Sequence, residues 1–383
     1  MGSFPPRECG IATFTKDIVD SYDHAFNTKS EIIAIDEPGG EHRIYGPEVV
    51  ARLTEQDRAS YSDVAAIVNA HPAQMLNIQH EYGIFGGARG EWLIDTLKQL
   101  QKPVTVTLHT VLPEPEEKML QVTRDLAKYS TALIALSETG KHLLETVYDI
   151  DPSKLHVIHH GVPDVPFRST DQAKAHYGVG QRMIISTFGL INRGKGLEYA
   201  IDAMKTIVRY HPEALYLILG ETHPTVRRQE GESYRESLQA KIVENNLLNN
   251  VALIDKYLDF DEVVSYLAAT DIYLTPYLNP VQIVSGTLAY AVGCGKAIVS
   301  TPYLYAEEVL AHNRGFLCKF RDADSIAENV LMLLDDSSLR RAIERRAYRF
   351  GRQMTWPNVA RAYGRLFAEL APQESALALV HSA

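Results

Sequence analysis

The run Phe188-Gly189-Leu190-Ile191-Asn192-Arg193-Gly194-Lys195-Gly196 sets three glycines and two cations between an apolar stretch and a segment with helical spacing. A glycine-loosened turn at a helix start offers backbone N–H groups and the positive end of the helix dipole, to which Arg193 and Lys195 add full charges. That combination suits a phosphate. The same residues would also serve an ordinary turn whose cations face water. The spacing fits neither a Walker loop nor a dinucleotide fingerprint. A second run, Pro280-Val281-Gln282-Ile283-Val284-Ser285-Gly286-Thr287-Leu288-Ala289-Tyr290-Ala291, opens a helix on small residues. Ser285, Gly286 and Thr287 would let a ligand approach free N–H groups and would lend it two hydroxyls, although Ser285 could simply cap the helix. Both runs follow strand-like segments, and ligands of open parallel sheets bind at the C-terminal edge of the strands.

Two further segments, Gln79-His80-Glu81-Tyr82-Gly83-Ile84-Phe85-Gly86-Gly87 and Thr107-Leu108-His109-Thr110, also follow strand candidates. Glu81 and His109 are candidates there for hydroxyl recognition or proton handling, and satisfied core side chains are the competing account. His159-His160-Gly161 lies at a junction between segments. With His80 and His109 it could suggest a metal, but no metal-ligand spacing supports one, so no metal is expected. Asp259-Phe260-Asp261 precedes a helical run, Val263 to Ala268, and reads as a helix cap.

Positioning these groups requires an α/β scaffold. Strand candidates in the first half are Glu31 to Asp36, Met75 to Gln79, Val104 to Leu108, Ala132 to Leu136 and Leu155 to Ile158. In the second half they are Met183 to Phe188, Leu215 to Leu219, Val251 to Ile254, Ile272 to Leu274, Ala297 to Ser300 and Gly315 to Cys318. Helical stripes lie between them, one beginning near Thr13 with Phe14, Ile18, Val19 and Tyr22, one from Asp57 to Ala70, and one carrying Leu197, Ala200, Ile201, Met204 and Val208. This alternation predicts two parallel sheets covered by helices. Gly161 to Arg168 reads as a linker. A last helix, Thr355 to Leu370, has a wide apolar stripe through Trp356, Val359, Tyr363 and Phe367, and the tail from Pro372 reads as loose. Few residues precede Pro5-Pro6, so the first strand of the first sheet is expected to be short or truncated.

Length and composition agree with two domains. The chain has 383 residues, 45% of them hydrophobic, and no apolar run approaches the roughly 20 residues of a membrane-spanning helix. The net charge of -10 argues against a nucleic-acid surface. The first 160 residues hold 14 basic and 23 acidic side chains, and the remainder 24 and 25, so the second half is the better place for an anion. The acidic first half, with Asp17, Asp20 and Asp23 against Lys16 on its first helix, makes docking on an anionic membrane unexpected and a soluble partner expected. Cys9, Cys294 and Cys318 are odd in number and far apart, as expected of reduced thiols in a cytoplasmic protein.

These motifs resemble, in order and over nearly the whole chain, those of family-4 retaining glycosyltransferases of the GT-B architecture, two Rossmann-like domains facing across a cleft. The opening Pro5-Pro6-Arg7-Glu8-Cys9-Gly10-Ile11-Ala12-Thr13-Phe14-Thr15 resembles that of a bacterial subgroup. The resemblance implies an acceptor domain over 1–162, completed by the helix 355–371, and a donor domain over 163–354. It implies a metal-independent hexosyltransferase that keeps the anomeric configuration and moves a sugar from a nucleotide-sugar donor to a soluble saccharide. It places Gly10 by the donor phosphates, His109 near the reacting sugar, and Lys195 against the leaving phosphate. Ser285, Gly286 and Thr287 fall with the donor, and Glu81 and His160 with the acceptor.

Three positions depart from the family pattern. The family carries two glutamates at the positions of Gln282 and Tyr290, the first for donor hydroxyls and the second for the nucleotide ribose. Gln282 keeps hydrogen-bonding capacity, but a tyrosine cannot grip a ribose diol as a carboxylate does. Leu190 replaces the arginine of the phosphate loop, with Arg193 as the expected substitute. A retaining glycoside phosphorylase that uses inorganic phosphate or a sugar 1-phosphate is therefore the alternative expectation. A catalytically degenerate sugar-binding protein is a third.

Overall fold

In the computed structural model, which describes residues 1–180 and 182–371, the chain divides into two compact units. One comprises Met1–Gly161 and the C-terminal segment from Trp356, and the other Val162–Thr355. The tail from Pro372 lies outside the described residues.

The first unit is built on parallel strands β1 (Ile32–Asp36), β2 (Val49–Thr54), β3 (Leu76–His80), β4 (Val104–Leu108), β5 (Ala132–Ala135) and β6 (Leu155–Val157). β1 pairs with β2, and the other four run in the order β3-β4-β5-β6. The first residues of the chain knit these two groups together. Gly2 donates to Ile33 O at 3.2 Å, Ile35 N donates to Gly2 O at 3.1 Å, and Gln79 N donates to Met1 O at 2.9 Å. The short opening segment thus does the work of a strand.

β2 escapes the strand pattern expected from sequence. Its residues alternate between buried Ala51 and Leu53 and outward side chains that include Arg52, whose guanidinium pairs with Asp36 at the end of β1. An edge strand with one wet face carries less apolar signal than the fully buried β1 or β4. The helix expected from Thr13 starts earlier, at Gly10, and runs to Phe26. Cys9 caps it, its Sγ accepting from Ala12 N at 3.4 Å, a less familiar cap than a hydroxyl or carboxylate.

The Trp356–Leu370 helix lies against the Gly10–Phe26 helix through Tyr22 and Phe367, with ring centroids 5.6 Å apart. A Cβ on Gly364 would stand 2.1 Å from the Phe26 ring, so a glycine is what lets the two helices approach. At the start of the same helix, Trp356 meets Phe14 edge to face at 5.3 Å and covers Gly161.

The second unit holds β7 (Ile184–Phe188), β8 (Leu215–Leu219), β9 (Val251–Ile254), β10 (Ile272–Thr275), β11 (Ala297–Ser300) and β12 (Phe316–Leu317). Their order is β12-β11-β10-β7-β8-β9, all parallel, so β7 and β10 flank the point where the winding reverses. Apolar side chains cover both faces. One layer includes Ile201, Met204, Ile326 and Val330, and the other Leu288, Val292, Tyr303 and Val309. Asp259 closes a capping box with Glu262 at the start of the Phe260–Ala269 helix, which gives it a structural task.

At the N-terminal edge of this sheet, Asp271 is a buried anchor. Its carboxylate accepts from Ile184 N at 2.7 Å and from the Thr170 hydroxyl at 3.1 Å, and it pairs with buried Lys174 at 2.6 Å. Among the described residues, no helix is long and apolar enough to cross a membrane.

Candidate functional site

In the second unit, the turn after β7 and the helix start after β10 meet at the C-terminal edge of the sheet. Gly189 takes φ 117°, and a Cβ there would stand 3.1 Å from Thr287 Cγ2 and 3.6 Å from Lys195 Nζ. Gly196 takes φ 61°, with room only for hydrogen where the Pro276 carbonyl approaches. Glycine at these two positions is what allows the turn to close on the neighbouring strand end. Leu278 N donates to Gly194 O at 2.9 Å and ties the two loops together.

Lys195 Nζ donates to the Tyr277 hydroxyl at 2.6 Å and lies 4.0 Å from the centre of the Tyr277 ring. Tyr277 OH and Thr287 Oγ1 are 2.7 Å apart, and Thr287 Oγ1 and Ser285 Oγ are 3.2 Å apart. Ser285 also caps the Gly286–Gly293 helix, accepting from Leu288 N at 3.3 Å. Among the described residues, Lys195 has no carboxylate in ion-pair range, and the Gly286 and Thr287 amides have no hydrogen-bond acceptor. Burial lowers the Lys195 amine to about 7. An ammonium without a counter-charge beside two free amides is a site prepared for an anion.

The other donor-side expectations fall differently. Arg193 is exposed and turns away, pairing with Glu230 at 3.2 Å and lying 5.2 Å over the Tyr234 ring. Gln282 donates to Val284 O at 2.9 Å, so its amide nitrogen is engaged within its own loop. Tyr290 is only 8% exposed and belongs to an apolar layer, with the ring of Phe260 edge-on at 6.1 Å and that of Phe188 at 6.4 Å. Tyr277, absent from the sequence-based candidates, is the side chain that joins Lys195 to the helix start. Its place directly after the buried run Ile272–Thr275, in Thr275-Pro276-Tyr277, was the available signal.

In the first unit, the ends of β3 and β4 bring Gln79, His80 and Glu81 beside His109 and Thr110. His109 Nε2 and Gln79 Oε1 are 2.9 Å apart. Gln79 donates its own amide to Asn77 Oδ1 at 2.6 Å, which fixes Oε1 as the atom facing the imidazole. The His109 proton therefore sits on Nε2 and leaves Nδ1 as an acceptor. Burial, with His160 and His80 nearby, pushes His109 down to about 3, so the ring is neutral at ordinary pH.

Phe14 touches His109 and His160 edge-on, at 4.8 and 5.0 Å. His160 Nδ1 bonds to Gly161 O at 2.7 Å, and burial lowers this imidazole to about 4. Glu81 accepts from Tyr82 N at 2.9 Å and from the Thr110 hydroxyl, and burial raises its carboxyl above the usual range. It therefore serves as a turn cap as well as a candidate polar contact. His80 stacks 5.6 Å from Phe85 and is neutralised by burial, lowered to about 3. Gly10 is the first residue of its helix, with open space where a side chain would stand. Among the described residues, no group of three or more His, Cys, Asp or Glu side chains is arranged to hold a metal ion.

Residues 34–164 match the family described as Glycosyltransferase Family 4, and residues 170–350 that described as Glycosyl transferases group 1. An uncharacterized glycosyltransferase of Methanocaldococcus jannaschii is 27% identical over 185 residues, 48% of this chain and 44% of that protein, so the match spans less than half of the archaeal relative. A D-inositol 3-phosphate glycosyltransferase of Jonesia denitrificans is 23% identical over 309 residues, covering 74% of this chain and 69% of that one. The fold is similar to that of Anabaena HepE, solved in complex with UDP and glucose, with a TM-score of 0.74 and 16% identity over 96% of this chain and 98% of that one. It is also similar to that of sucrose-phosphate synthase from Thermosynechococcus elongatus, with a TM-score of 0.73 and 15% identity over 94% and 93% of the two chains. The chain thus carries a family 4 glycosyltransferase domain ahead of a group 1 glycosyltransferase domain, in two Rossmann-like units of the GT-B class.

Proposed function

We propose that this protein is a retaining hexosyltransferase that moves a sugar from a nucleotide-sugar donor to a soluble saccharide in the cytoplasm. The observation that carries this reading is Lys195, an ammonium with no carboxylate partner among the described residues, held beside the Gly286 and Thr287 amides, which have no acceptor there either. Such a group stabilises a phosphate more as charge develops on it, which is the requirement for lowering the barrier to its departure. In the proposed reaction the bond from the anomeric carbon to the donor phosphate oxygen breaks and a bond to the acceptor hydroxyl oxygen forms on the same face. The acceptor proton passes to the leaving phosphate. The developing charge of the phosphate favours the ammonium form of Lys195, which supplies the positive charge in place of a divalent cation.

In the first unit, His109 Nδ1 is proposed to accept from a hydroxyl of the sugar being transferred, a task that suits an imidazole that stays neutral. Glu81 and His160 are proposed to contact the acceptor, and Gly10 to leave room for the donor phosphates. The binding of UDP and glucose by HepE supports a nucleotide-sugar donor.

A second reading rests on Tyr290. Its ring lies in apolar packing where a ribose-binding carboxylate is expected, which favours a phosphorylase that needs no ribose contact. Incubation with nucleotide sugars and saccharide acceptors, with and without a chelator, tests the first reading. Incubation with disaccharides and inorganic phosphate tests the second.

A further inference from the structure

The hydrogen-bonded chain in the second unit assigns a task to a residue that touches no ligand directly. We infer that Tyr277 is the positioning residue of the phosphate site, its hydroxyl holding the Lys195 ammonium in register with Thr287 and Ser285 at the helix start. The lysine and the helix amides then act on one phosphoryl group as a single unit. This deepens the proposed function and rests on its phosphate reading.

The Lys195 ammonium orders the hydroxyls that follow it. As an ammonium Lys195 only donates, so the Tyr277 oxygen accepts from it at 2.6 Å. The Tyr277 proton is then free for Thr287 Oγ1, 2.7 Å away, and the Thr287 proton for Ser285 Oγ at 3.2 Å. Ser285 Oγ also receives the Leu288 amide. In this arrangement the Tyr277 and Thr287 hydroxyls each accept one hydrogen bond and donate one, and Ser285 Oγ accepts at the end of the relay.

The Tyr277 ring is itself fixed. It stacks on Tyr303 with centroids 5.6 Å apart and planes 14° apart, and its carbonyl accepts from the Thr301 hydroxyl at 2.5 Å. A rigid ring below a long, flexible amine removes much of the rotamer freedom that the lysine would otherwise lose on binding a ligand. Without the hydroxyl, Lys195 has no oxygen acceptor among the described residues. Among the described residues, the groups around the amine are otherwise neutral or cationic. They are the Thr287 and Ser285 hydroxyls, Tyr273 and Tyr303 beneath Tyr277, and His223 after β8, whose proton the Lys195 charge helps to expel. Arg193, on the same turn, is turned to Glu230.

The test is competitive amine labelling of the full chain, read by mass spectrometry at the Lys195 peptide across pH 5.5 to 9, with and without pyrophosphate or inorganic phosphate. In the parent protein the expected labelling midpoint is near 7, and pyrophosphate is expected to slow labelling. Tyr277→Phe keeps the ring but removes the acceptor of the ammonium, so the midpoint moves to lower pH and protection requires about tenfold more pyrophosphate, the loss of about one hydrogen bond to a charged group. Thr287→Val moves both readouts in the same direction and Thr287→Ser restores them, which keeps the test open should Tyr277→Phe fold poorly. An unchanged midpoint and unchanged protection in Tyr277→Phe and Thr287→Val would overturn the assignment. Protection of the parent by neither anion would overturn the phosphate reading itself.

Discussion

The Lys195 ammonium and the Tyr277 hydroxyl, 82 residues apart in sequence, share a hydrogen bond of 2.6 Å at the C-terminal edge of the second sheet. Because β7 and β10 are neighbours, the turn that carries the lysine and the loop that carries the tyrosine leave the sheet side by side. The topology thus builds a cationic site from residues with no sequence proximity, and with no counter-charge among the described residues the site is costly when empty.

That cost is measurable. Lys195→Met is expected to abolish transfer and yet raise stability by about 1–2 kcal/mol near pH 6, since it removes a desolvated charge from a side chain that keeps partial solvent contact. The pH dependence follows from the direction of the shift. The folded-state amine is lowered to about 7, against the usual 10.5 of a free lysine, so between these values the folded protein binds fewer protons than the unfolded chain and the parent gains stability as pH rises. The advantage of Lys195→Met is therefore largest below pH 7 and shrinks toward pH 10. Urea unfolding of both proteins at several pH values checks this, and an advantage independent of pH would contradict it.

Asp271→Ala should destabilise the second unit by about 3–5 kcal/mol, because it leaves the Lys174 ammonium buried and unpaired and removes the acceptor of Ile184 N. The effect belongs to the edge of the sheet opposite the Lys195 site. Residual folded protein should therefore keep pyrophosphate protection at Lys195 even as its melting temperature falls by several degrees. Loss of protection without loss of stability would contradict this division of tasks.

Trp356→Ala removes a 5% exposed ring that meets Phe14 and covers Gly161. A loss of about 3–5 kcal/mol is expected, as for other large-to-small changes in a closed core. The His109 and His160 rings share Phe14 with Trp356, so their resonances should broaden or shift with the substitution. Calorimetry together with imidazole NMR separates this outcome from a surface effect, which would move neither.

Much of the scaffold was legible in the sequence because fully buried strands such as Ile184–Phe188 and Val104–Leu108 are continuous apolar runs bounded by turn residues. β2 was not, since only Ala51 and Leu53 face inward and Arg52 answers to Asp36, a partner on another strand. The glycine turn with Lys195 and the Ser285 cap could be read locally, as each is a strand-to-helix junction. Tyr277 could not, because its role arises from the pairing of β7 with β10. Arg193 shows the converse. Its sequence position suggested a phosphate contact, but Glu230 and the Tyr234 ring, on later segments, hold it outward.

In the proposed reaction the anion at Lys195 is the leaving phosphate of a nucleotide sugar. The most direct measurement follows products when purified protein is supplied either with nucleotide sugars and saccharide acceptors or with disaccharides and inorganic phosphate. The expected product is a new glycoside of retained anomeric configuration, formed together with free nucleotide, unaffected by a chelator and lost in Lys195→Met. Formation of a sugar 1-phosphate from a disaccharide and phosphate, with no turnover of any nucleotide sugar, would contradict it.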